Sequence, residues 1–379
     1  MNDASAAQTT TGNPVEKPRR LMSLDALRGF DMFWIVGADA LVEGLQKLSN
    51  GFLVQGTAHQ LEHADWSGFH FEDLIFPMFV FMAGVSLTFS LTRMIEQDGR
   101  PAATGRIVRR AVLMYLLGIF YYGGFDASFE HIRLLGVLQR IALAYLFAGL
   151  IFCYCQRRGQ VIWCGGLLIG YWLVLTFVPV PGGTAGNFAE GANLTNWIDA
   201  HCLPLRKWDG DHDPEGLLST LPAIASCLLG VLAGQFLRES KRSDWNKVAR
   251  LALAGVILAA VGWLWSLQFP VIKKIWTSSF VLVAGGYSCL FLAAFYTVIE
   301  IWQWRRWAQP FVWIGMNSIT IYLIHDVVDI EKIAQRFAGG QLNEVWFGRF
   351  GPLVLALLSL GITFWICRFL YRRGIFLRL

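Results

Sequence analysis

The chain has 379 residues, of which 55% are hydrophobic, 14% are aromatic and only 16% are charged, with a formal net charge of +5. Soluble domains average about 25% charged residues, and a single soluble core rarely grows beyond about 250–300 residues. So few charges cannot cover 16 Trp and 28 Phe side chains in water. The composition therefore excludes a disordered chain, a nucleic-acid-binding protein, a secreted disulfide scaffold and an ordinary cytosolic enzyme. It predicts a polytopic membrane protein.

The first 20 residues are polar and end in a basic group formed by Lys17, Arg19 and Arg20. No apolar stretch with a small-residue cleavage site precedes this group, so residues 1–20 are interpreted as a disordered cytoplasmic tail rather than a signal peptide. Residues 21–379 are predicted to form a single transmembrane domain.

Ten segments after the tail approach the roughly 20 apolar residues that a transmembrane helix needs. In chain order, the predicted spans are 24–42, 72–92, 108–124, 134–153, 161–180, 216–237, 249–268, 277–299, 310–327 and 352–370. Segment 328–351 is amphipathic and predicts either a short interfacial helix or a partial eleventh span. The predicted fold class is therefore all-α, a polytopic helical bundle of about 10–11 transmembrane helices with a cytoplasmic N-terminus.

The charges are distributed unevenly between the two predicted faces. With the N-terminus inside, every inner loop is basic, as the positive-inside rule expects. All seven His lie in outer loops or at the outer ends of spans, and acidic residues concentrate there as well. Because functional residues commonly sit on loops that a rigid scaffold positions, the outer face is the predicted site of chemistry.

His63 opens an outer stretch that runs directly into the second span. Glu72 and Asp73 begin that helix, where carboxylates favour the positive end of the helix dipole. Pro77 follows about one turn inside and can kink the helix near the membrane surface. A functional interpretation makes His63 a general base or nucleophile, since its ordinary pKa lies near 6.5. The alternative is a loop histidine that only bonds to its neighbours.

Several polar residues interrupt the apolar spans, where charges are costly and usually mark function. Asp25 and Arg28 are three positions apart in the first span and predict an ion pair at the inner rim. Asp39 lies near the outer end of the same span and is a better site candidate. Arg140 in the fourth span either binds a phosphate or carboxylate or pairs with an aspartate. Asn317 in the ninth span needs a polar partner.

Further candidates lie in the later outer segments. An acidic loop contains Asp213 and Glu215 at a helix start, where an Asp cap is expected. Lys273 and Lys274 precede the eighth span, and His325 returns to the outer surface at the end of the ninth. The Asp and His spacing shows no regular ligand pattern, so no metal site is expected. The seven cysteines are scattered, and buried structural thiols are the interpretation.

Six ordered motifs carry a resemblance to a known family. They are SLDALRG, HADWSG with DLIFPMFVF, GVLQRIA, DPEGLLSTLP, KKIWTSSF and GMNSI. The chain resembles the heparan-alpha-glucosaminide N-acetyltransferase family of transmembrane acetyltransferases, in its compact bacterial-type form, from about residue 20 to 370. That resemblance implies a single transmembrane acyltransferase domain over 21–379 in a bacterial inner membrane, surrounded by lipid and assembled as a homodimer.

The resemblance also assigns roles to residues. The catalytic histidine of the family lies in an HxxWxG motif, which corresponds to His63 here, and a functional Asn or Asp near the outer end of the first span corresponds by spacing to Asp39. The remaining candidates are assigned to substrate binding: Trp66, Asp73, Arg140, Asp213, Glu215, Lys273, Lys274, Asn317 and His325.

The implied activity moves an acetyl group from cytosolic acetyl-CoA to the amine of a glucosamine-type sugar on the outer side. Basic inner loops would hold the anionic donor, and acidic outer residues would attract a cationic acceptor. Asp39 would orient the imidazole or hold the amine, and Asn317 or Arg140 would polarise the carbonyl. Direct transfer and an acetyl-histidine intermediate both remain open. The alternative function is a permease or carrier for a small polar solute.

Overall fold

The computed structural model describes residues 21–48, 51–123, 129–239 and 242–377, without the side chains of residues 38, 39, 129, 326, 327, 341, 342 and 344. Within these residues the chain is helical and contains no β-strand, only an isolated bridge between Ser67 and Ile272. The helices are α1 (Met22–Leu48), α2 (Phe52–Gln60), α3 (Phe71–Tyr121), α4 (Val137–Tyr154), α5 (Arg157–Phe177), α6 (Leu194–Cys202), α7 (Thr220–Leu237), α8 (Asp244–Trp265), α9 (Ser278–Tyr296), α10 (Gln309–Gly315), α11 (Ser318–Val327), α12 (Ile330–Ala338), α13 (Gln341–Phe347) and α14 (Gly351–Arg373).

Seven helices in the described part of the chain are long and apolar enough to cross a membrane. Their bounds are Phe71–Tyr121, Val137–Tyr154, Arg157–Phe177, Thr220–Leu237, Asp244–Trp265, Ser278–Ile301 and Val345–Arg373. They confirm the predicted all-α, polytopic bundle, and the protein is an integral multi-pass membrane protein.

The longest helix joins two predicted spans. An unbroken α-helix of 51 residues would extend about 75 Å, more than twice the hydrocarbon thickness. The backbone leaves helical geometry at Gly99 (φ 82°, ψ 173°), a conformation that glycine adopts without steric cost. Pro101 follows and cannot continue the ladder of backbone hydrogen bonds. The turn at Gly99 therefore divides α3 into two arms that match spans 72–92 and 108–124.

Two predicted spans differ from a continuous apolar helix. Helix α1 covers the first predicted span but carries Asp25, Arg28 and Asp31, so it does not reach the hydropathy of the other seven. The ninth predicted span is broken into α10 and α11, because Asn317 leaves helical geometry between them (φ −122°, ψ 21°). The amphipathic segment 328–351 forms the short helices α12 and α13 rather than one continuous span.

Helices α3 and α7 cross with their backbones in direct contact. A Cβ atom added to Gly84 would lie 2.0 Å from the carbonyl oxygen of Cys227, and one added to Gly230 would lie 1.9 Å from that of Phe81. Small residues at such crossings let helices in membranes approach closely. The crossing fixes α3, whose first turns border the cavity described next, against α7, and the residues just before α7 border the same cavity.

Candidate active site

A cavity of about 510 Å³ opens between the helix ends and the loops that the charge pattern of the sequence assigns to the outer face. We name it the histidine cavity. Its lining comes from α1, both ends of α3, α4, α11 and the segments around residues 63, 133, 209 and 273. The lining residues are Ile35, His63, Ala64, Glu72, Ile75, Phe76, Tyr121, Tyr122, Arg133, Val137, Trp208, Asp209, Pro214, Glu215, Lys273, Lys274, Trp276 and Tyr322.

His63, Asp73 and Lys273 form a compact group at this cavity. The Nδ1 atom of His63 lies 3.2 Å from a carboxylate oxygen of Asp73 and 3.0 Å from the Nζ atom of Lys273. Lys273 Nζ also lies 3.4 Å from the same Asp73 oxygen. The His63 side chain is 60% exposed, whereas Asp73 beneath it is 1% exposed. The buried carboxylate stabilises the positive charge that His63 acquires when it takes a proton, and the ammonium group of Lys273, 3.0 Å from Nδ1 and 3.4 Å from Nε2, can donate to the ring nitrogen that carries no proton.

Asp73 also fixes the loop that carries His63. Its second carboxylate oxygen accepts hydrogen bonds from the backbone N–H groups of His70, at 3.0 Å, and Ala64, at 3.2 Å. His70 is the N-cap of α3 and Asp73 is its third helical residue, so the pair forms a capping box. One carboxylate therefore begins the helix, closes the loop and faces the imidazole.

Lys273 reaches His63 because two loops are joined by their backbones. The N–H group of Gly68 donates to the carbonyl oxygen of Val271 at 2.9 Å, beside the bridge between Ser67 and Ile272. Burial lowers the pKa of Lys273 below the usual lysine range, although nearby Asp73 and the other carboxylates favour its charged form. A lysine of this kind is a donor that can also exchange a proton.

The opposite wall contains a buried ion-pair network. Arg133 donates to both carboxylate oxygens of Asp213, at 2.9 and 2.7 Å, and to Glu215 at 2.5 Å. Its guanidinium lies 4.5 Å from the ring centre of Tyr122 and 4.9 Å from that of Trp208. Burial opposes the charge on Arg133, but the two carboxylates raise its pKa above the usual range. Burial raises the pKa of Glu215.

Asp213 and Glu215, which the sequence analysis treated as similar candidates, have different positions in this network. Glu215 lines the histidine cavity, whereas Asp213 is 1% exposed and lies behind the wall, where it also accepts the N–H groups of Trp208 and Glu215. Asp213 is therefore positioned to hold Arg133 and the loop rather than to contact a substrate in this cavity.

Arg140 does not reach the cavity either. Its side chain is completely buried, bonds to the hydroxyl of Ser219 and lies 4.8 Å from the ring centre of Trp276. Of the two alternatives for this arginine, the structure shows neither a carboxylate pair nor an open anion site at its guanidinium within the described residues. Arg140 supports the cavity wall from behind.

Trp66 and Lys274 hold the loops at the rim. The indole N–H of Trp66 donates to the backbone oxygen of Phe188 at 2.9 Å, and Lys274 Nζ lies 6.0 Å from the ring centre of Trp66. Lys274 lines the cavity and pairs with Glu190 at 2.9 Å and Asp209 at 3.2 Å. Those two partners raise the pKa of Lys274, against the effect of burial.

Asn317 and His325 lie in other cavities. His325 borders a space of about 450 Å³ between α1, α12 and α14. Asn317 borders a smaller space of about 110 Å³, deeper in the bundle. The side chain of Asp39 lies outside the described residues, so its predicted role at His63 has no structural counterpart here.

We name the smaller space the arginine cavity. Its lining includes Arg28, Ser86, Arg110, Tyr145 and Asn317, together with apolar side chains. Arg28 lies 3.7 Å from Asp25, donates to the Gly315 carbonyl oxygen at 3.4 Å and also bonds to the Ser86 hydroxyl. The guanidinium of Arg110 lies 4.7 Å from the ring centre of Tyr145, and its Nε is buried without a hydrogen-bond partner among the described residues.

The two cavities are lined by the same helices at successive levels. Phe76 borders the histidine cavity and Phe79, one turn further along α3, borders the arginine cavity. On α4 the neighbours Val137 and Leu138 divide in the same way. Helices α1 and α11 also contribute to both linings. The two cavities therefore adjoin on α3 and α4, while on α1 their lining residues Ile35 and Arg28 lie seven positions apart, about 10 Å along the helix.

Sequence reasoning missed Arg133 and the aromatic lining. Arg133 is one of few basic residues in predicted outer segments that are otherwise acidic. That rarity is the one sequence feature that could have marked it as a candidate. Tyr121 and Tyr322 stack at 4.4 Å between ring centres, although they lie 201 positions apart in the chain. Nothing local in either segment indicates that pairing.

Comparison with known proteins agrees with this architecture. A family model described as an acyltransferase domain matches residues 22–372. Heparan-alpha-glucosaminide N-acetyltransferase of Homo sapiens is 28% identical over 369 residues, which cover 82% of this chain and 53% of that protein. The protein of the same name from Mus musculus is 26% identical over 330 residues, covering 71% of this chain and 49% of that protein. The chain spans about half the length of these curated relatives. Since the family model covers nearly the whole chain, the protein belongs to the acyltransferase-domain family.

Proposed function

We propose that this protein transfers an acetyl group from acetyl-CoA on the cytoplasmic side to the amine of an amino sugar on the outer side of a bacterial inner membrane. The observation that carries the proposal is the alignment of the two cavities. An arginine-lined space and a histidine-lined space follow one another between the same helices. That order matches a reaction whose donor is anionic and cytosolic and whose acceptor approaches from the other face. The names of the two relatives support an N-acetyl transfer.

The arginine cavity is suited to the phosphates of the donor. Arg28 and Arg110 place two guanidinium groups at one space, and guanidinium groups bind phosphate oxygens with charge-assisted hydrogen bonds. The break at Asn317 adds the N-terminus of α11, where backbone N–H groups and the helix dipole also favour an anion. Asn317 thus supports donor binding here instead of polarising the reacting carbonyl.

The pantetheine arm would pass from the arginine cavity to the histidine cavity. Between the two levels the lining is aromatic and aliphatic, with Phe76, Phe79 and Tyr322 on facing helices. An apolar passage suits the acyl thioester, excludes water from it and limits its hydrolysis. The thioester carbonyl would then emerge near His63.

His63 is the proposed general base. The Nε2 atom accepts a proton from the acceptor amine as the amine nitrogen bonds to the thioester carbon; the C–S bond then breaks, and the imidazolium returns that proton to the CoA thiolate as it leaves. Asp73 holds the imidazole at Nδ1 and stabilises the imidazolium that forms. If His63 is instead acetylated first, the same contacts orient it for attack, and the amine then takes the acetyl group from the imidazole.

Lys273 is the proposed donor to the developing oxyanion. Its Nζ lies 3.0 Å from His63 Nδ1, close to the place where the carbonyl would be attacked. Arg140 was the earlier candidate for this role, but it is buried behind Trp276. Glu215 and Asp209 on the rim would attract a cationic acceptor.

The proposal includes a homodimer in a lipid bilayer. Helices α5, α8 and α14 expose large apolar side chains, including Trp163, Leu264 and Trp365. Such surfaces suit contact with lipid or with a second copy of the chain. Mild cross-linking of the protein in native membranes would measure the assembly directly, and a purely monomeric product would contradict the dimer.

The decisive experiment follows an acetyl label through the purified protein in liposomes. Labelled acetyl-CoA is supplied on one side and glucosamine on the other, and His63→Ala is expected to lower N-acetylglucosamine formation by about 10³-fold, within the range for loss of a general base. His59→Ala removes an exposed histidine of the same outer segment that does not line the cavity, and it should retain the activity.

Three results would contradict the proposal. Full activity of His63→Ala would remove the histidine from the mechanism. Acetyl transfer only when donor and acceptor share one side would refute the transmembrane route. Flux of glucosamine into liposomes that is independent of CoA and of His63 would favour the carrier instead.

A further inference from the structure

Three metal-ligand side chains converge at the rim of the histidine cavity. Glu190, Asp209 and His212 each present one ligand atom, and these atoms lie within 4.8 Å of one another. We propose that these residues bind a divalent transition-metal ion of the zinc class, in competition with the ammonium group of Lys274. Imidazole nitrogen and carboxylate oxygen are ligands that zinc takes in proteins. The proposal does not depend on the acetyl-transfer chemistry.

His212 provides the observation that distinguishes this group from an ordinary acidic cluster. Its side chain is 7% exposed, and its Nε2 atom is buried without a hydrogen-bond partner in the described part of the structure. That atom lies 3.8 Å from a carboxylate oxygen of Glu190 and 3.9 Å from one of Asp209. A neutral imidazole would therefore direct a lone pair at two anionic oxygens, an arrangement that a cation between them stabilises.

The other ring nitrogen of His212 is already oriented for this role. Nδ1 lies 2.7 Å from a carboxylate oxygen of Asp211, which as an ionised acceptor takes the Nδ1 proton. Nδ1–H to carboxylate with Nε2 directed at the metal is the usual arrangement around zinc, where the outer carboxylate fixes the tautomer. Asp211, although exposed, would thus fix the tautomer of His212 that presents Nε2 to the metal.

The backbone holds two of the ligands in a tight turn. The N–H group of Asp209 donates to the carbonyl oxygen of His212 at 3.1 Å. The N–H of Trp208, just before the turn, donates to Asp213, which is itself fixed by Arg133. The turn is therefore anchored to the buried ion-pair network, and Glu190 supplies the third ligand from a separate loop.

A modest adjustment completes the coordination geometry. With metal–ligand distances of about 2.0–2.2 Å, tetrahedral ligand atoms lie about 3.4 Å apart. The distances from His212 Nε2 to the two carboxylates exceed this value by about half an ångström. Glu190 is 43% exposed at its side chain and can supply that movement by a change of rotamer. The fourth position would be left for water.

Lys274 occupies the cation position in the metal-free arrangement. Its Nζ contacts the same Glu190 and Asp209 oxygens at 2.9 and 3.2 Å. A long flexible stem lets the ammonium group leave when a stronger cation enters. Since Lys274 and Asp209 also line the histidine cavity, metal binding would release a positive charge into that cavity.

The test measures zinc binding to the full-length protein in detergent by isothermal titration, after treatment with a chelator. One equivalent of Zn²⁺ is expected to bind. Lys274→Met should bind more tightly, by about tenfold, because the competing cation is gone. Asp211→Asn should bind about 10–100-fold more weakly, as when an outer-sphere partner of a ligating histidine is lost.

Zinc binding should be weaker still in His212→Ala and in Glu190→Gln. Because Glu190 is more exposed than His212, the Glu190→Gln variant tests the site even if His212→Ala does not fold. His201→Ala removes an exposed histidine from the neighbouring helix α6 and should bind like the unmodified protein. Absence of zinc binding to the unmodified protein, or undiminished binding by both Glu190→Gln and Asp211→Asn, would overturn the proposal.

Discussion

The histidine cavity and the arginine cavity lie between the same helices but are charged in different ways. In the histidine cavity each cation faces carboxylates: Arg133 faces Asp213 and Glu215, and Lys273 faces Asp73. In the arginine cavity, Arg110 packs on an aromatic ring and Arg28 shares its donors among a carboxylate, a hydroxyl and a backbone carbonyl. Paired charges hold geometry, whereas a donor without a hydrogen-bond partner among the described residues, such as Nε of Arg110, suits an incoming anion.

The largest expected effect removes the central cation of the histidine cavity. Arg133→Gln would leave Asp213 and Glu215 buried without their partner, and breaking a buried pair in this way costs about 3–5 kcal/mol. Arg206→Gln, on an exposed arginine of the same outer segment, should have little effect. Thermal unfolding in detergent measures both. Equal melting temperatures for the two variants would show that the paired network does not hold the outer face together.

A smaller effect is expected from the arginine cavity. Arg110→Gln removes one guanidinium from the proposed phosphate site, and the loss of one charge-assisted contact should raise the KM for acetyl-CoA about tenfold while kcat changes little. Arg109→Gln alters its exposed neighbour on α3 and is the matched control. A fall in kcat without a change in KM would contradict the division of roles between the two cavities.

The smallest effect concerns a buried carboxyl that has no salt bridge among the described residues. Asp199 accepts the N–H group of Leu217 at 2.8 Å, and burial raises its pKa to about 6. The folded protein therefore binds a proton more tightly than the unfolded chain, so this group makes stability fall as pH rises from about 4 to about 6.

Asp199→Asn should remove that part of the pH dependence. Between pH 4 and 6.5 the melting temperature of the unmodified protein is expected to fall relative to the variant by about 2–4 °C. Asp65→Asn, at an exposed position, serves as the control. Parallel melting curves for the unmodified protein and Asp199→Asn across this window would show that Asp199 titrates normally.

The sequence predicted the helical segments because apolar length is a local property. It placed Asp73 at the start of the helix that follows His63, but it named Asp39 as the partner of the imidazole and did not predict the contact between His63 and Asp73. It could not distinguish Asp213 from Glu215, which differ only in which side of a buried arginine they occupy. Nor could it place Arg140, whose partner Ser219 lies in a distant segment.

The sequence also did not predict where the helices break. Asn317 reads as a polar residue within an apolar span, and only the packed structure shows that α10 ends and α11 begins there. The metal ligand Glu190 lies in a different loop from Asp209 and His212, so spacing along the chain carries no signal for their convergence. Contacts between distant segments depend on the whole bundle rather than on local pattern.

Backbone contact between α3 and α7 limits how far the histidine cavity can widen. At Gly84 and Gly230 the two helices touch through their backbones, with no side chain between them. The distance between the helices therefore cannot be adjusted by a change of side-chain rotamer. The start of α3 and the residues before α7 therefore form a wall of fixed spacing. A longer acyl group would have to find room against that wall, so the helix crossing itself, rather than a particular side chain, is expected to restrict the acyl length that the protein accepts.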